Sequence, residues 1–159
     1  MRIGDLAPDF SLPDKNGAVV RLASLRGGAV VVFFYPKDDT PTCTVEACLF
    51  RDRYEEFVAA GARVVGISSD SAASHASFAS KHRLPFVLLT DKGGRVRKAF
   101  KVKRTLGILP GRATFVLDAQ GVVRHAFQSP RNPDKHVLEA LSVVKRLAGA
   151  AGAQAAPPA

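Results

Sequence analysis

The seven residues AVVVFFY, Ala29 to Tyr35, constrain this chain more than any other stretch. They are β-branched and aromatic with no polar alternation, the pattern of a buried, central strand. Gly28 and Pro36 bound the run and fix its length.

The flanking sequence supplies partners for such a strand. DFSL, DKNG and AVVRLASL predict a short N-terminal hairpin that turns at Asn16-Gly17, both with positive φ. After the central strand, CTVEACLFRDRYEEFVAAG predicts one helix closed by Gly61. RVVGISSD is a second buried strand, SAASHASFASKHR a second helix capped by Ser71, and PFVLLTD a third strand. A weak helix is expected near RVRKAF. RATFVLD and VVRHAF form a hairpin, and PDKHVLEALSVVKRLAG an amphipathic last helix. This order is that of a thioredoxin-like α/β sandwich: a central mixed sheet flanked by helices, with an N-terminal hairpin.

A chain of 159 residues suits one domain with a sizeable core. The domain is expected over 1–147, and the low-complexity AGAAGAQAAPPA over 148–159 as a flexible tail. No apolar run approaches the roughly 18 residues of a membrane span, so no membrane partner is expected. MRIGDLAPDF lacks the apolar segment of a secretory signal. The expected location is a bacterial cytoplasm, with a processed plastid protein as the other compatible setting.

The formal charge is +9, and Lys92 to Arg104, KGGRVRKAFKVKR, holds seven basic residues and no acid. Zinc-finger spacing, an RNP-like aromatic motif and a helix-turn-helix are all missing from the sequence, so nucleic acid is not the expected partner. A solvated basic face is the preferred reading of the segment, and docking of an acidic protein the second.

Both cysteines, Cys43 and Cys48, lie in FYPKDDTPTCTVEACLFRDRYEEF. On one helix, five residues separate Cα atoms by roughly 8–9 Å, whereas a disulfide spans roughly 4.4–6.8 Å. Pairing therefore requires the first helical turns to unwind. At about 100° per residue, Cys43 shares a stripe with Ala47, Phe50, Tyr54 and Phe57, and Cys48 points about 140° away. That divergence, without C-x-x-C or H-x-x-x-H spacing, argues against a metal site. The scattered His75, His82, His125 and His136 are expected at the surface or at helix ends.

Cys43 sits at a helix N-terminus, where free N–H groups and the macrodipole favour thiolate, the reactive form. Thr40 can cap that helix and also offer a hydroxyl to a bound oxygen. Pro36 and Pro41 shape the loop and screen the thiol from water.

Pro36 to Cys43, PKDDTPTC, carries the P-x-x-x-T-x-x-C pattern and resembles the peroxiredoxins, thiol peroxidases on a thioredoxin fold. TCTVEACLFRD, with its second cysteine five residues on, is similar to the peroxiredoxin Q, or bacterioferritin comigratory protein, subfamily. VVGISSDSAASHASFASKHRLPFVLLTD and LPGRATFVLDAQGVV resemble it as well, so the likeness covers Gly4 to Leu147. The resemblance implies Cys43 as peroxidatic and Cys48 as resolving cysteine, joined as an intrachain disulfide during turnover. It implies Thr40 and Arg112 as groups that polarise the peroxide and Pro36 as a shield. Glu46 stands at the family's acidic position, where orienting Arg112 and a commonplace first-turn glutamate are both open. Hydrogen peroxide and organic hydroperoxides are the implied substrates, and thioredoxin or a similar dithiol the reductant. Neither metal nor cofactor is expected, and an in-chain resolving thiol suits a monomer. Two alternatives are a thiol–disulfide oxidoreductase, which usually carries C-x-x-C, and a basic binding module using Lys92–Arg104.

Overall fold

The computed structural model describes the backbone of residues 1–155 and the side chains of residues 1–150. Strands β1 (Ser11–Pro13) and β2 (Val19–Arg21) pair as the N-terminal hairpin. Then follow β3 (Val30–Phe34), helices α1 (Pro41–Asp52) and α2 (Tyr54–Ala59), β4 (Arg63–Ser68), α3 (Ala72–His82) and β5 (Val87–Thr90). The chain ends with α4 (Arg95–Ala99), β6 (Ala113–Leu117), β7 (Val123–Gln128) and α5 (Pro133–Ala155). The main sheet has the order β5-β4-β3-β6-β7, parallel across β4 and β5 and antiparallel across β6 and β7. This is the mixed thioredoxin-like sheet, with β3 at its centre.

Every residue of β3 is buried, because both faces of the sheet are covered. Val31, Phe33 and Tyr35 point into one core with α1, α3 and α5, and Val30, Val32 and Phe34 into the other. Phe50 of α1 stacks on Phe33 at 4.5 Å and also meets Phe57 and Phe86, so α1 is seated by an aromatic cluster.

Three expectations need correction. The single helix after β3 is two, because the chain leaves helical geometry at Arg53 (φ −102°, ψ 4°). In the N-terminal turn only Gly17 has positive φ. Asp14 organises that turn instead, its carboxylate accepting the N–H groups of Asn16 and Ala18 at 2.8 and 3.0 Å. The last helix runs past its expected end at Gly149 to Ala155; 156–159 of the expected tail lie outside the described residues. The cap on α3 forms as expected, Ser71 Oγ accepting the Ser74 N–H at 3.1 Å.

Gly111 just before β6 is required by close approach. A Cβ there would lie 1.7 Å from the Lys103 carbonyl oxygen, a backbone atom that cannot step aside. Gly111→Ala should therefore cost about 2 kcal/mol or more, read as a lower midpoint in chemical unfolding. A midpoint equal to wild type would show that 103–111 can open without loss.

Candidate active site

The end of β3 delivers the chain into a loop, Pro36 to Thr40, and Cys43 is the third residue of the helix that follows. The residue is 2% exposed. Pro41 opens the helix, where its missing N–H costs nothing. Thr40 is the residue before it, and its carbonyl accepts the Thr44 N–H at 2.9 Å. Its side chain does not cap the helix, contrary to expectation. The hydroxyl instead donates to the Lys37 carbonyl at 2.8 Å, closing the loop on itself. Pro36 is half-buried beside it.

Arg112 enters from the residue before β6. The register pairs Phe34 with Ala113, so the C-terminal end of β3 and the N-terminal end of β6 lie side by side. That pairing brings the guanidinium to the helix start. Nη2 donates to Cys43 Sγ at 3.1 Å, Nη1 to Glu46 Oε1 at 2.8 Å, and Nε to the Pro130 carbonyl at 3.3 Å. The three side chains are buried together, Arg112 at 4% and Glu46 at 0% exposure. Cys48 is half-buried elsewhere on the same unbroken helix, and both cysteines are free thiols.

Burial raises the Glu46 carboxyl from near 4.5 to about 7, and the Arg112 charge and hydrogen bond only partly oppose it. Among the described residues Glu46 Oε2 has no hydrogen-bond partner, and it lies 3.8 Å from His136 Nδ1. His136, expected at the surface or at a helix end, lies in the first turn of α5 and is fully buried. Its Nε2 faces the Ser129 carbonyl at 2.9 Å and so carries the proton, while Nδ1 accepts from the Thr114 hydroxyl at 2.8 Å. Burial lowers its pKa to about 4, in keeping with this neutral tautomer.

His75, also expected at the surface or a helix end, is fully buried in a second polar cluster. Asp38, in the loop before Cys43, accepts from the Tyr35 hydroxyl (2.6 Å), the Ser74 hydroxyl (2.8 Å) and His75 Nδ1 (2.8 Å). Its backbone N–H donates to Asp70 Oδ2 at 2.8 Å. Among the described residues, Asp38, Asp70 and His75 form a group whose ligand atoms lie within 4.8 Å of one another. These atoms are already engaged by internal hydrogen bonds, so the group acts as an anchor for the loop.

The AhpC/TSA family model matches residues 3–126. A chloroplastic peroxiredoxin Q from Triticum aestivum is 50% identical over 145 residues, 91% of this chain and 67% of that one. The chain belongs to the peroxiredoxin Q subfamily of the AhpC/TSA peroxiredoxins. Peroxidoxin BcpB from Mycobacterium tuberculosis superposes with a TM-score of 0.85 at 42% identity, covering 92% of this chain and 97% of that one. The bacterioferritin comigratory protein of Xanthomonas campestris, studied for its alkyl peroxide reduction, gives 0.82 at 30% identity, covering 93% and 98%. As a peroxiredoxin Q, the chain is a thiol-dependent peroxidase. No helix among the described residues is long and apolar enough to cross a membrane.

The candidate site thus gathers Cys43, Arg112 and Glu46 at one end of the sheet, with Pro36 and Thr40 in the loop that leads to Cys43 and Cys48 further along the helix. Sequence reasoning did not place His136, Asp38 or His75 in it. For Asp38 and His75 the signal available was the pattern D-D-T before the cysteine, since an acid buried there needs donors of its own; His136 carries no such signal.

The two buried groups beside Arg112 make opposite pH linkages. Glu46, raised from 4.5 to about 7, contributes stability that is complete at low pH and lost as pH rises through about 7. His136, lowered from 6.5 to about 4, contributes stability that is present above 6.5 and lost as pH falls through about 4. Glu46→Gln removes the first and leaves the second. Between pH 5 and 7 the variant should gain stability on wild type by about 1.4 kcal/mol per pH unit, measured by chemical unfolding. A constant difference would mean that Glu46 ionises as an ordinary carboxyl.

Proposed function

We propose that Cys43 is the peroxidatic cysteine and Cys48 the resolving one, in a cycle that reduces hydrogen peroxide and organic hydroperoxides. The observation that carries this reading is the 3.1 Å contact from Arg112 Nη2 to Cys43 Sγ at the start of α1. A guanidinium there stabilises thiolate and supplies fixed donors to the charge that develops on the peroxide oxygens. Thr40, whose proton goes to Lys37, offers its lone pairs to the peroxide O–H. Pro36 shields the reacting atoms from bulk water. The alkyl peroxide reduction of the Xanthomonas campestris relative supports organic hydroperoxides as substrates.

In the first step the thiolate attacks the near peroxide oxygen and the O–O bond breaks. Cys43 becomes a sulfenic acid, and the departing oxygen leaves with a proton as water or alcohol. Cys48 then attacks the Cys43 sulfur, expelling water and forming the intrachain disulfide. Both cysteines lie on the continuous helix Pro41–Asp52, where their spacing forbids a bond, so its first turns unwind for this step. An external dithiol, thioredoxin or its like, returns both thiols. The cycle needs no metal or other cofactor and no second subunit. The working unit is the domain over 1–147, acting as a monomer in a bacterial cytoplasm or, as with the chloroplastic relatives, in a plastid.

Cys43→Ser should abolish peroxide consumption with a dithiol as reductant. Arg112→Ala should lower kcat/KM by about 100-fold, with a smaller effect on the unfolding midpoint. Equal losses of rate and stability would make Arg112 structural.

Amide exchange tests the resolving step. Over Pro41 to Phe50 it should rise sharply on peroxide treatment, reverse with dithiol, and stay low in Cys48→Ser, which stops at sulfenic acid. Formation of the Cys43–Cys48 bond with unchanged exchange would exclude the unwinding.

A further inference from the structure

Six of the seven basic side chains in Lys92–Arg104 are exposed or half-buried, but Arg97 is 8% exposed. Among the described residues, its guanidinium makes no hydrogen bond to a carboxylate. Nη1 donates to the Gly111 carbonyl and Nη2 to the Tyr35 carbonyl, the latter at 2.7 Å. Its Cζ lies 5.7 Å from the centre of the Phe34 ring, a cation–π contact.

Those two carbonyls have a particular place in the sheet. The β3–β6 ladder ends at the pair Phe34–Ala113. Tyr35 is the next residue on one strand and immediately precedes Pro36. Gly111 lies just beyond the pair on the other strand and immediately precedes Arg112. The ladder therefore stops where the site begins, and one guanidinium ties the two free ends together.

The sequence holds Arg97 there by a local device. Asp91, 2% exposed, accepts the backbone N–H of Val96 at 3.1 Å and of Arg97 at 2.9 Å. Gly93 and Gly94, at φ +81° and +73°, let the chain double back from β5 into α4.

The charged groups around Arg97 include the site itself. Burial lowers its pKa, while Asp91, an ionised Cys43 and Tyr35 favour its charge and Arg112 opposes it. Among the described residues no carboxylate is hydrogen-bonded to Arg97; Asp91 is its larger counter-charge, and Cys43, where ionised, is the next.

We propose that Arg97 is a positioning residue of the peroxidase site, fixing the backbone before Pro36 against the backbone before Arg112 and adding a second buried positive charge to the surroundings of Cys43. The inference rests on the Cys43 and Arg112 roles proposed above. A planar fork serves two carbonyls at once, which the single ammonium of a lysine does not do in the same geometry. Misplacement of Arg112 by about 1 Å is enough to cost one to two orders of magnitude in rate.

The test compares Arg97→Met and Arg97→Lys with wild type and Cys43→Ser, by rapid-quench measurement of Cys43 oxidation across a pH series. The methionine variant should react about tenfold or more slowly at neutral pH, and its rate should rise only at higher pH than in wild type. The lysine variant should recover the wild-type pH midpoint but stay slower, because it restores charge and not the fork. A purely structural Arg97 would lower the unfolding midpoint and leave the pH midpoint where it was. If Arg97→Met fails to fold, the lysine variant decides: a rate equal to wild type overturns the positioning role. Wild-type rate and pH profile in a folded methionine variant, with Cys43→Ser inactive, overturn this proposal alone. An active Cys43→Ser overturns the site assignment and this proposal with it.

Discussion

Arg112 keeps its charge at 4% exposure, where an isolated guanidinium would be costly. Glu46 at 2.8 Å and Cys43 at 3.1 Å offset that cost, and the rest of the site is arranged so that they can. A protonated His136, 3.8 Å from Glu46 Oε2, would compete with Arg112 for the carboxylate. The Ser129 carbonyl and the Thr114 hydroxyl hold it in the neutral form, so the competition does not arise. Glu46, drawn up to about 7, is itself only loosely committed to its charge. The Cys43 sulfur is the other group that Arg112 touches at hydrogen-bond distance.

That triad exists because of one register. Cys43 and Arg112 are 69 residues apart in sequence. Antiparallel pairing of β3 with β6 sets the exit of one strand beside the entrance of the other. The loop from Pro36 is held by Asp38 on one side, through Asp70, Ser74 and His75. Position at the sheet's end, more than any feature of the helix alone, places the sulfur under the guanidinium.

Most of the frame was legible in the sequence because its signals are local. The apolar run of β3, the Ser71 cap and the loop pattern ending at Cys43 each follow from neighbours within a few residues. What escaped was long-range. Glu46, His75, Arg97 and His136 read as surface groups or were left open, since polarity alone marks them as exposed. Each is buried beside a partner distant in sequence: Arg112 for Glu46, Asp38 for His75, the Tyr35 carbonyl for Arg97, and Thr114 for His136. The break at Arg53 escaped for a different reason. Its residue types are good helix formers, and no glycine or proline marks the turn.

The break also limits how far a disturbance can travel. A helix opens cooperatively along its hydrogen-bond ladder, so the length of an uninterrupted segment sets the smallest piece that can be lost. At Arg53 the helical geometry is already interrupted, and α2 begins as a separate segment with Phe57 at 0% exposure. An opening that starts at Pro41 meets a natural stop before it reaches α2. Arg53 acts as a firebreak: melting of the helix that carries the cysteines would leave the element that plugs the core solid.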